Sequence, residues 1–311
     1  MENLVLLEML NFLKKINHIR LQRRILEKLR RRKNDFTKFG PNAKAIYVQA
    51  RQGNFLVDPV DNYVARVLLN DGELCQDEIK LASRFLTKDS HCLLLGGHIG
   101  SIVIPLAKVC KKLTVFEANP DSFELLNKNL LLNEIYNVQT HNKAVSNENK
   151  PLKFLINKDN SGGSKRFPLI KASGYFYDNP KQIKVDGVVL DSFLKNKSFD
   201  LIFVDIEGSE YFAFKGMQKI FKRSKVLITE FIPHHLKNVA LASVDAFWSS
   251  LEPHFKYLYI PGEEKVFEDS RNILRQLTIM FNNDKSYANI VFLKANSLKN
   301  LGEKWKLQPW T

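Results

Sequence analysis

From residue 91 onward, short apolar runs alternate with helical stretches. HCLLL (91–95), LTVFE (113–117), VQTHNKAV (138–145), FDLIFVD (199–205) and KVLITEF (225–231) read as buried strands, with helices over 99–111, 121–133 and 211–222. This alternation predicts βαβ units and a parallel sheet. An alternating segment, PLKFLI (151–156), follows the third strand, and a helix near 243–251, a strand near 255–260 and a last strand near 289–294 complete the series. Upstream, residues 45–58 alternate like a hairpin turning at Gln52-Gly53, and helical stretches follow around 61–70 and 75–87. The polar stretch 157–181, rich in Asn, Gly, Ser and Lys, is too long for an ordinary connection and is expected to be a loop near the active site. Residues 3–32 repeat Leu4, Leu7, Phe12, Ile16, Ile19, Ile25 and Leu29 near the helical period, with basic residues between them. Such a helix either lies on a membrane or partner surface or packs on the domain with a solvated basic face. The chain thus divides into a basic extension (1–40), a lead-in (41–90), an α/β domain (91–295) and a tail (296–311).

Composition changes this picture little, and charge changes it more. At 311 residues, 44% hydrophobic and 26% charged, the chain has the make-up of a globular protein able to bury a full core. No apolar run reaches the roughly 18–20 residues of a membrane span. MENLVLLEMLNFL has no basic region ahead of it and no small-residue cleavage site after it, so an unprocessed cytoplasmic chain is expected, with residues 3–32 as its peripheral contact. Cys75, Cys92 and Cys110 form neither a disulfide framework nor a metal-ligand pattern. The net charge is +14, and residues 1–40 supply half of it, with eleven Lys/Arg against four Asp/Glu, 11 − 4 = +7. That balance admits nucleic acid, anionic lipid or an acidic substrate without choosing among them.

Four features carry candidate chemistry. The first strand runs into Gly96-Gly97-His98-Ile99-Gly100, where glycine permits a sharp turn close to a ligand. The spacing is neither the dinucleotide fingerprint nor the phosphate loop. The second strand ends in Glu117, a carboxylate able to accept hydrogen bonds from both hydroxyls of a ribose. The third feature is Asp205-Ile206-Glu207-Gly208-Ser209-Glu210, three carboxylates at the end of an apolar strand, where burial is costly without partners. On an extended strand Asp205 and Glu207 would point the same way, while Glu210 also suits the first turn of the next helix. The fourth is Glu230 in LITEFIPHH, followed by His234 and His235, either of which could take a proton from a hydroxyl or be a surface loop residue.

The series GGHIG, VFEANP, HNKAVSN, VVLDSF, FDLIFVDIEGSE and LITEF, in this order, resembles the FkbM-like family of S-adenosylmethionine-dependent methyltransferases. With the lead-in GNFLVDPVDNYVARVLLNDGELCQDE, the resemblance covers about residues 53–235. It implies a doubly wound, seven-stranded, Rossmann-like α/β sheet, mostly parallel with its last strand antiparallel, S-adenosylmethionine as cofactor and methylation of a hydroxyl oxygen. By the same resemblance Gly96, Gly97, His98 and Gly100 would line the methionine part of the cofactor, and Glu117, Ala118 and Asn119 its ribose side. Ala144, Glu207 and the lead-in acid Glu73 would complete the cofactor site. Asp205 would sit near the transferred methyl and serve as the base, with His234 or His235 as alternatives. The chain departs from the pattern at Leu94, where the family has an aspartate two residues before the first glycine, and at Phe203, where it has a lysine. Either another acid, Asp205 or Glu73, compensates for the missing carboxylate, or cofactor binding is weak.

Three other readings stay open. N-methylation of a peptide amide or amine would use the same core. A non-catalytic methyltransferase fold would account for Leu94 and Phe203. Nucleic-acid methylation is disfavoured, because DIEG stands where an Asn/Asp-Pro-Pro-aromatic motif would and no cysteine follows the fourth or fifth strand. No metal is expected, the alternative being a divalent cation held by Asp205, Glu207 and Glu230.

Overall fold

The computed structural model describes residues 42–301 and 306–307. The basic segment 3–32 lies outside the described residues. The chain enters through a hairpin of β1 (Ile46–Ala50) and β2 (Gly53–Val57), whose turn falls at Arg51-Gln52. Helices Val64–Asp71 and Gln76–Ser83 follow, then β3 (His91–Leu95), β4 (Lys112–Phe116) and β5 (Val138–His141). An inserted four-stranded sheet is built from β6 (Ala144–Val145), β7 (Pro151–Ile156), β8 (Lys165–Arg166) and β9 (Lys181–Val188), in the order β6-β9-β7-β8. The chain then returns to the large sheet with β10 (Leu201–Val204), β11 (Val226–Phe231), β12 (Tyr257–Ile260), β13 (Lys265–Glu268), β14 (Tyr287–Leu293) and β15 (Lys306–Leu307).

Among the described residues the large sheet is mixed and has nine strands rather than seven, ordered β15-β13-β12-β14-β11-β10-β3-β4-β5. β5, β4, β3, β10 and β11 are parallel, β14 runs antiparallel to β11 and β12, and β13 with β15 extends the far edge. The order reverses between β3 and β10, the place where open α/β sheets bind ligands. Continuous apolar runs suit these central strands because both faces are covered. Leu94, Leu201, Phe203 and Ile228 pack on one face under the hairpin and first helices, and Leu93, Leu95, Ile202 and Val204 on the other.

Several expected elements come out differently. The third strand breaks at Asn142-Lys143, so 138–141 and 144–145 belong to different sheets. The helix expected over 99–111 is only Val103–Ala107, because the glycine turn occupies its first residues. The helix expected over 211–222 is two, Glu210–Lys215 and Gln218–Arg223. A Cβ at Gly216 would stand 2.2 Å from the Ser146 carbonyl oxygen, so the chain bends where it touches the insert. Asp191 then caps the second helix by accepting from the Lys219 and Ile220 amides (2.9 and 3.0 Å). Helix Ser270–Asn282 had been overlooked, although it buries Ile273, Leu277 and Met280 on one face. Among the described residues no helix is long and apolar enough to cross a membrane.

Candidate active site

The C-terminal ends of β3, β4 and β10 open on one cavity of about 210 Å³. Its floor is the glycine turn. The amides of Gly96 and Gly97 both donate to the Phe116 carbonyl (2.9 and 3.1 Å), tying the turn to β4. Gly96 has φ +93°, and a Cβ there would stand 1.8 Å from the Asp205 carbonyl oxygen. The glycine is therefore required by the close crossing of the two strand ends, and the turn and the acidic box form one structure. His98 donates its backbone N–H to Glu117 Oε2 (2.7 Å), and its Nε2 is 2.7 Å from Ser161 Oγ. Ser161 gives its hydroxyl proton to Asp61, so His98 is the donor of the pair. Burial pushes the His98 imidazole down to about 4 and keeps it neutral.

Glu117 is buried and accepts from the backbone N–H of His98 on one oxygen and of Asn119 on the other (2.7 Å). Burial raises its pKa to about 7, against the pull of those amides. Each oxygen keeps a further lone pair for a ligand hydroxyl.

Asp205 and Glu207 both line the cavity, but not as neighbours on an extended strand. Glu207 (φ +54°) and Gly208 (φ +96°) turn the chain through two left-handed residues. A Cβ at Gly208 would come within 2.7 Å of Val239 Cβ, so only glycine lets this turn seat against 236–240. Glu207 pairs with buried Lys165 of the insert (3.0 Å) and lies 3.5 Å from His235 Nε2. Burial raises Asp205 to about 8, helped by Glu207, Glu210 and Glu78 and opposed by a hydrogen bond with Glu230. Burial, then Asp205, holds Glu230 well above the usual carboxylate range. Glu210 accepts from the Ile206 amide (3.1 Å), and burial raises it to about 7. Glu230 Oε2 is buried without a hydrogen-bond partner.

Of the residues singled out in the sequence, Gly96, Gly97, His98, Glu117, Ala118, Ala144, Asp205 and Glu207 line the cavity. Gly100 lies behind it against Leu126 and Ile104. Asn119 is a buried support, its side chain capping helix Pro120–Leu132 by accepting from Asp121 N (3.1 Å). Glu73 is paired with exposed Arg51 and is not at the cavity wall; Leu74 and Cys75 line it instead. His234 faces Tyr175 (Nδ1 to hydroxyl, 3.0 Å), away from the cavity lining. His235 is buried beside Glu207, and burial pushes its imidazole down to about 2. Among the described residues no group of three or more His, Cys, Asp and Glu is arranged to hold a metal ion.

The sequence reading missed Tyr63, Ser101, Lys143, Asn160, Ser161 and Arg166, which also line the cavity. The 157–181 stretch supplies Asn160 and Ser161, and its Gly-Ser composition was the only local signal. Leu94 and Phe203 are register partners on β3 and β10 and are buried in the same core cluster. The two departures therefore stand side by side in the apolar core. Exchanging a buried pair for apolar packing is often neutral or stabilising.

The family model described as the methyltransferase FkbM domain matches residues 95–280, more than half of the chain. The fold is similar to that of an rRNA methylase from Streptococcus thermophilus, with 13% identity over 70% of this chain and 94% of that one (TM-score 0.40). It is also similar to the M. jannaschii tRNA m1G37 methyltransferase (14%, 70% and 51%, TM-score 0.38). A third similar structure is the Pyrococcus abyssi tRNA (uracil-54, C5)-methyltransferase with S-adenosyl-L-homocysteine (14%, 60% and 34%, TM-score 0.36). No curated protein matches the sequence.

Proposed function

The chain belongs to the FkbM family of methyltransferases, and from that premise we propose that it methylates a hydroxyl oxygen on a small molecule or glycan, using S-adenosylmethionine. The observation that carries this reading is the convergence of Gly96, Glu117 and Asp205 on one cavity at the reversal of strand order. The residues present fit the cofactor. The glycine turn lines the cavity, Glu117 offers two acceptor oxygens to a ribose, and the acidic box complements a cation. When bound, S-adenosylmethionine supplies an electrophilic methyl group on a positively charged sulfur.

Glu117 would orient the nucleoside, and the rigid Gly96–Asp205 crossing would fix the distance between cofactor and acceptor, since alignment supplies much of the rate in such a displacement. Asp205 is the base. With a pKa near 8 it would take the proton of an acceptor hydroxyl near neutral pH. Glu230, whose burial favours its protonated form, would hydrogen-bond Asp205 and tune that basicity. The test is transfer of labelled methyl from S-adenosylmethionine to a panel of hydroxylated and peptidic acceptors, with Asp205→Asn as control. Label on hydroxyl acceptors, lost in the variant, supports the reading; label on peptide nitrogen alone would replace it with N-methylation.

A further inference from the structure

Two cations line the cavity, Lys143 and Arg166. Lys143 is shared with Asp186 (3.5 Å), and Lys165, the residue before Arg166, with Glu207 (3.0 Å). Among the described residues Arg166 has no carboxylate within ion-pair reach. Glu148 attracts it from farther off and is itself paired with Lys150 (3.2 Å). The cavity wall thus carries a guanidinium that no described acid neutralises.

That guanidinium is nonetheless held in place. Arg166 stands on β8 opposite buried Phe154 of β7, and both line the cavity. Its Cζ lies 4.0 Å from the centre of the Phe212 ring, and its Nη1 donates to Ser146 Oγ (3.2 Å). A ring against one face and a hydroxyl at one edge fix the plane of the fork. Among the described residues the Ser146 bond is the one hydrogen bond it makes, so most of its N–H donors stay unspent. Arg166 is half-buried, and burial lowers its pKa, as expected of a charge that has lost water without gaining an anion. A bound anion would offset that desolvation.

The acids of the lining do not supply that anion. Glu207 is matched by Lys165, and burial raises Asp205 to about 8 and Glu117 to about 7, which weakens their negative field at neutral pH. We propose that Arg166 is the anchor of the acceptor subsite and receives an oxyanion, a carboxylate or a phosphate, carried by the hydroxyl-bearing acceptor. The proposal rests on the methyltransferase reading and narrows its acceptor to an acidic one. A guanidinium fork grips either group through two parallel N–H···O bonds, leaving the acceptor hydroxyl for Asp205 in the same cavity. The cofactor's own carboxylate is the rival anion. Against it, Arg166 contacts Ser146 and Phe212 and follows the lysine that holds Glu207, whereas the glycine turn meets Glu117.

The experiment is titration by saturation-transfer NMR on the full chain with S-adenosylhomocysteine bound. The anionic probes are 3-hydroxybenzoate, glucuronate and glucose 6-phosphate, and the uncharged ones are methyl 3-hydroxybenzoate and glucose. The variants are Arg166→Met and Arg166→Lys. At least one anionic probe should bind about tenfold or more tighter than its uncharged counterpart, and Arg166→Met should abolish that preference. Arg166→Lys keeps the charge and loses the fork, so it should keep only part of the preference, and it carries the test if Arg166→Met does not fold. Calorimetry on the same variants with S-adenosylhomocysteine and with 5′-methylthioadenosine, which lacks the carboxylate, separates the two anions. Weaker S-adenosylhomocysteine with unchanged 5′-methylthioadenosine would give Arg166 to the cofactor and overturn the proposal. A parent chain that binds S-adenosylhomocysteine without preferring any anionic probe, or a preference untouched by either substitution, overturns it too. A parent chain that does not bind S-adenosylhomocysteine loses the methyltransferase reading as well.

Discussion

Replacing Gly96 with alanine tests whether the glycine turn and the acidic box are one mechanical unit. The added Cβ would stand 1.8 Å from the Asp205 carbonyl oxygen and 2.9 Å from its carbonyl carbon, and both are backbone atoms that no rotamer change can move. Relief requires β3 and β10 to part at their ends, where Asp205 N donates to the Leu95 carbonyl (3.0 Å) and Gly96 N to the Phe116 carbonyl (2.9 Å). A φ of +93° adds about 1–2 kcal/mol of strain for a residue with a side chain. Forcing atoms into a packed site adds about 1–3 kcal/mol. The total, about 2–5 kcal/mol, is a large share of the roughly 5–15 kcal/mol that holds a domain together. Urea denaturation would measure it, with Gly174→Ala as the internal control, because nothing lies within 4 Å of a Cβ there. S-adenosylmethionine affinity should fall with stability in Gly96→Ala, since the displaced atom belongs to Asp205. A loss below about 1 kcal/mol with unchanged cofactor affinity would refute the reasoning.

Other outcomes follow from the same geometry. Glu117→Gln replaces one of the two acceptor oxygens with an amide nitrogen and so removes one charge-assisted contact worth about 1.5–3 kcal/mol, and calorimetry should show cofactor affinity down by roughly 10- to 150-fold. Lys165→Met leaves Glu207 without its cation at a mostly buried position, and chemical denaturation should show a loss of about 1–3 kcal/mol. Folded Glu117, Glu210 and Asp205 titrate near 7, 7 and 8 rather than at their ordinary 4.5, 4.5 and 3.8, so between pH 4.5 and 8 the folded chain binds more protons than the unfolded one. Stability without cofactor should therefore fall as pH rises. His98 and His235, pushed below 6.5, act in the opposite sense at lower pH, so the decline should be clearest from pH 6.5 to 8 in thermal unfolding. A melting temperature that rises across that window would contradict the protonated acidic box.

The strands of the large sheet were legible because both of their faces are buried, so HCLLL and LIFV stand out as unbroken apolar runs. Of the insert, β7 showed as the alternating PLKFLI, but β9 did not, because Ile183 and Val185 are only half-buried and stand among exposed polar residues. Helix Ser270–Asn282 carried its helical period openly in Ile273, Leu277 and Met280 and an N-cap residue in Asp269, which accepts from Arg271 N (2.8 Å). In the site, Gly96, Glu117 and Asp205 could be named because each ends a strand. Tyr63, Ser161 and Arg166 could not, because loops and the insert bring them in over sequence distances no local pattern records. Leu94 and Phe203 look like two separate losses along the chain, and only the register shows that they face each other.

The central claim is that this cavity holds S-adenosylmethionine. Titration of the full chain with S-adenosylmethionine by calorimetry at pH 8 tests it most directly. One molecule per chain is predicted, with a Kd within the range of about 1 µM to 1 mM in which enzymes meet their substrates, and with protons released as the acidic box takes up the cation. No heat at millimolar cofactor, or a signal unchanged in Glu117→Gln, would contradict it.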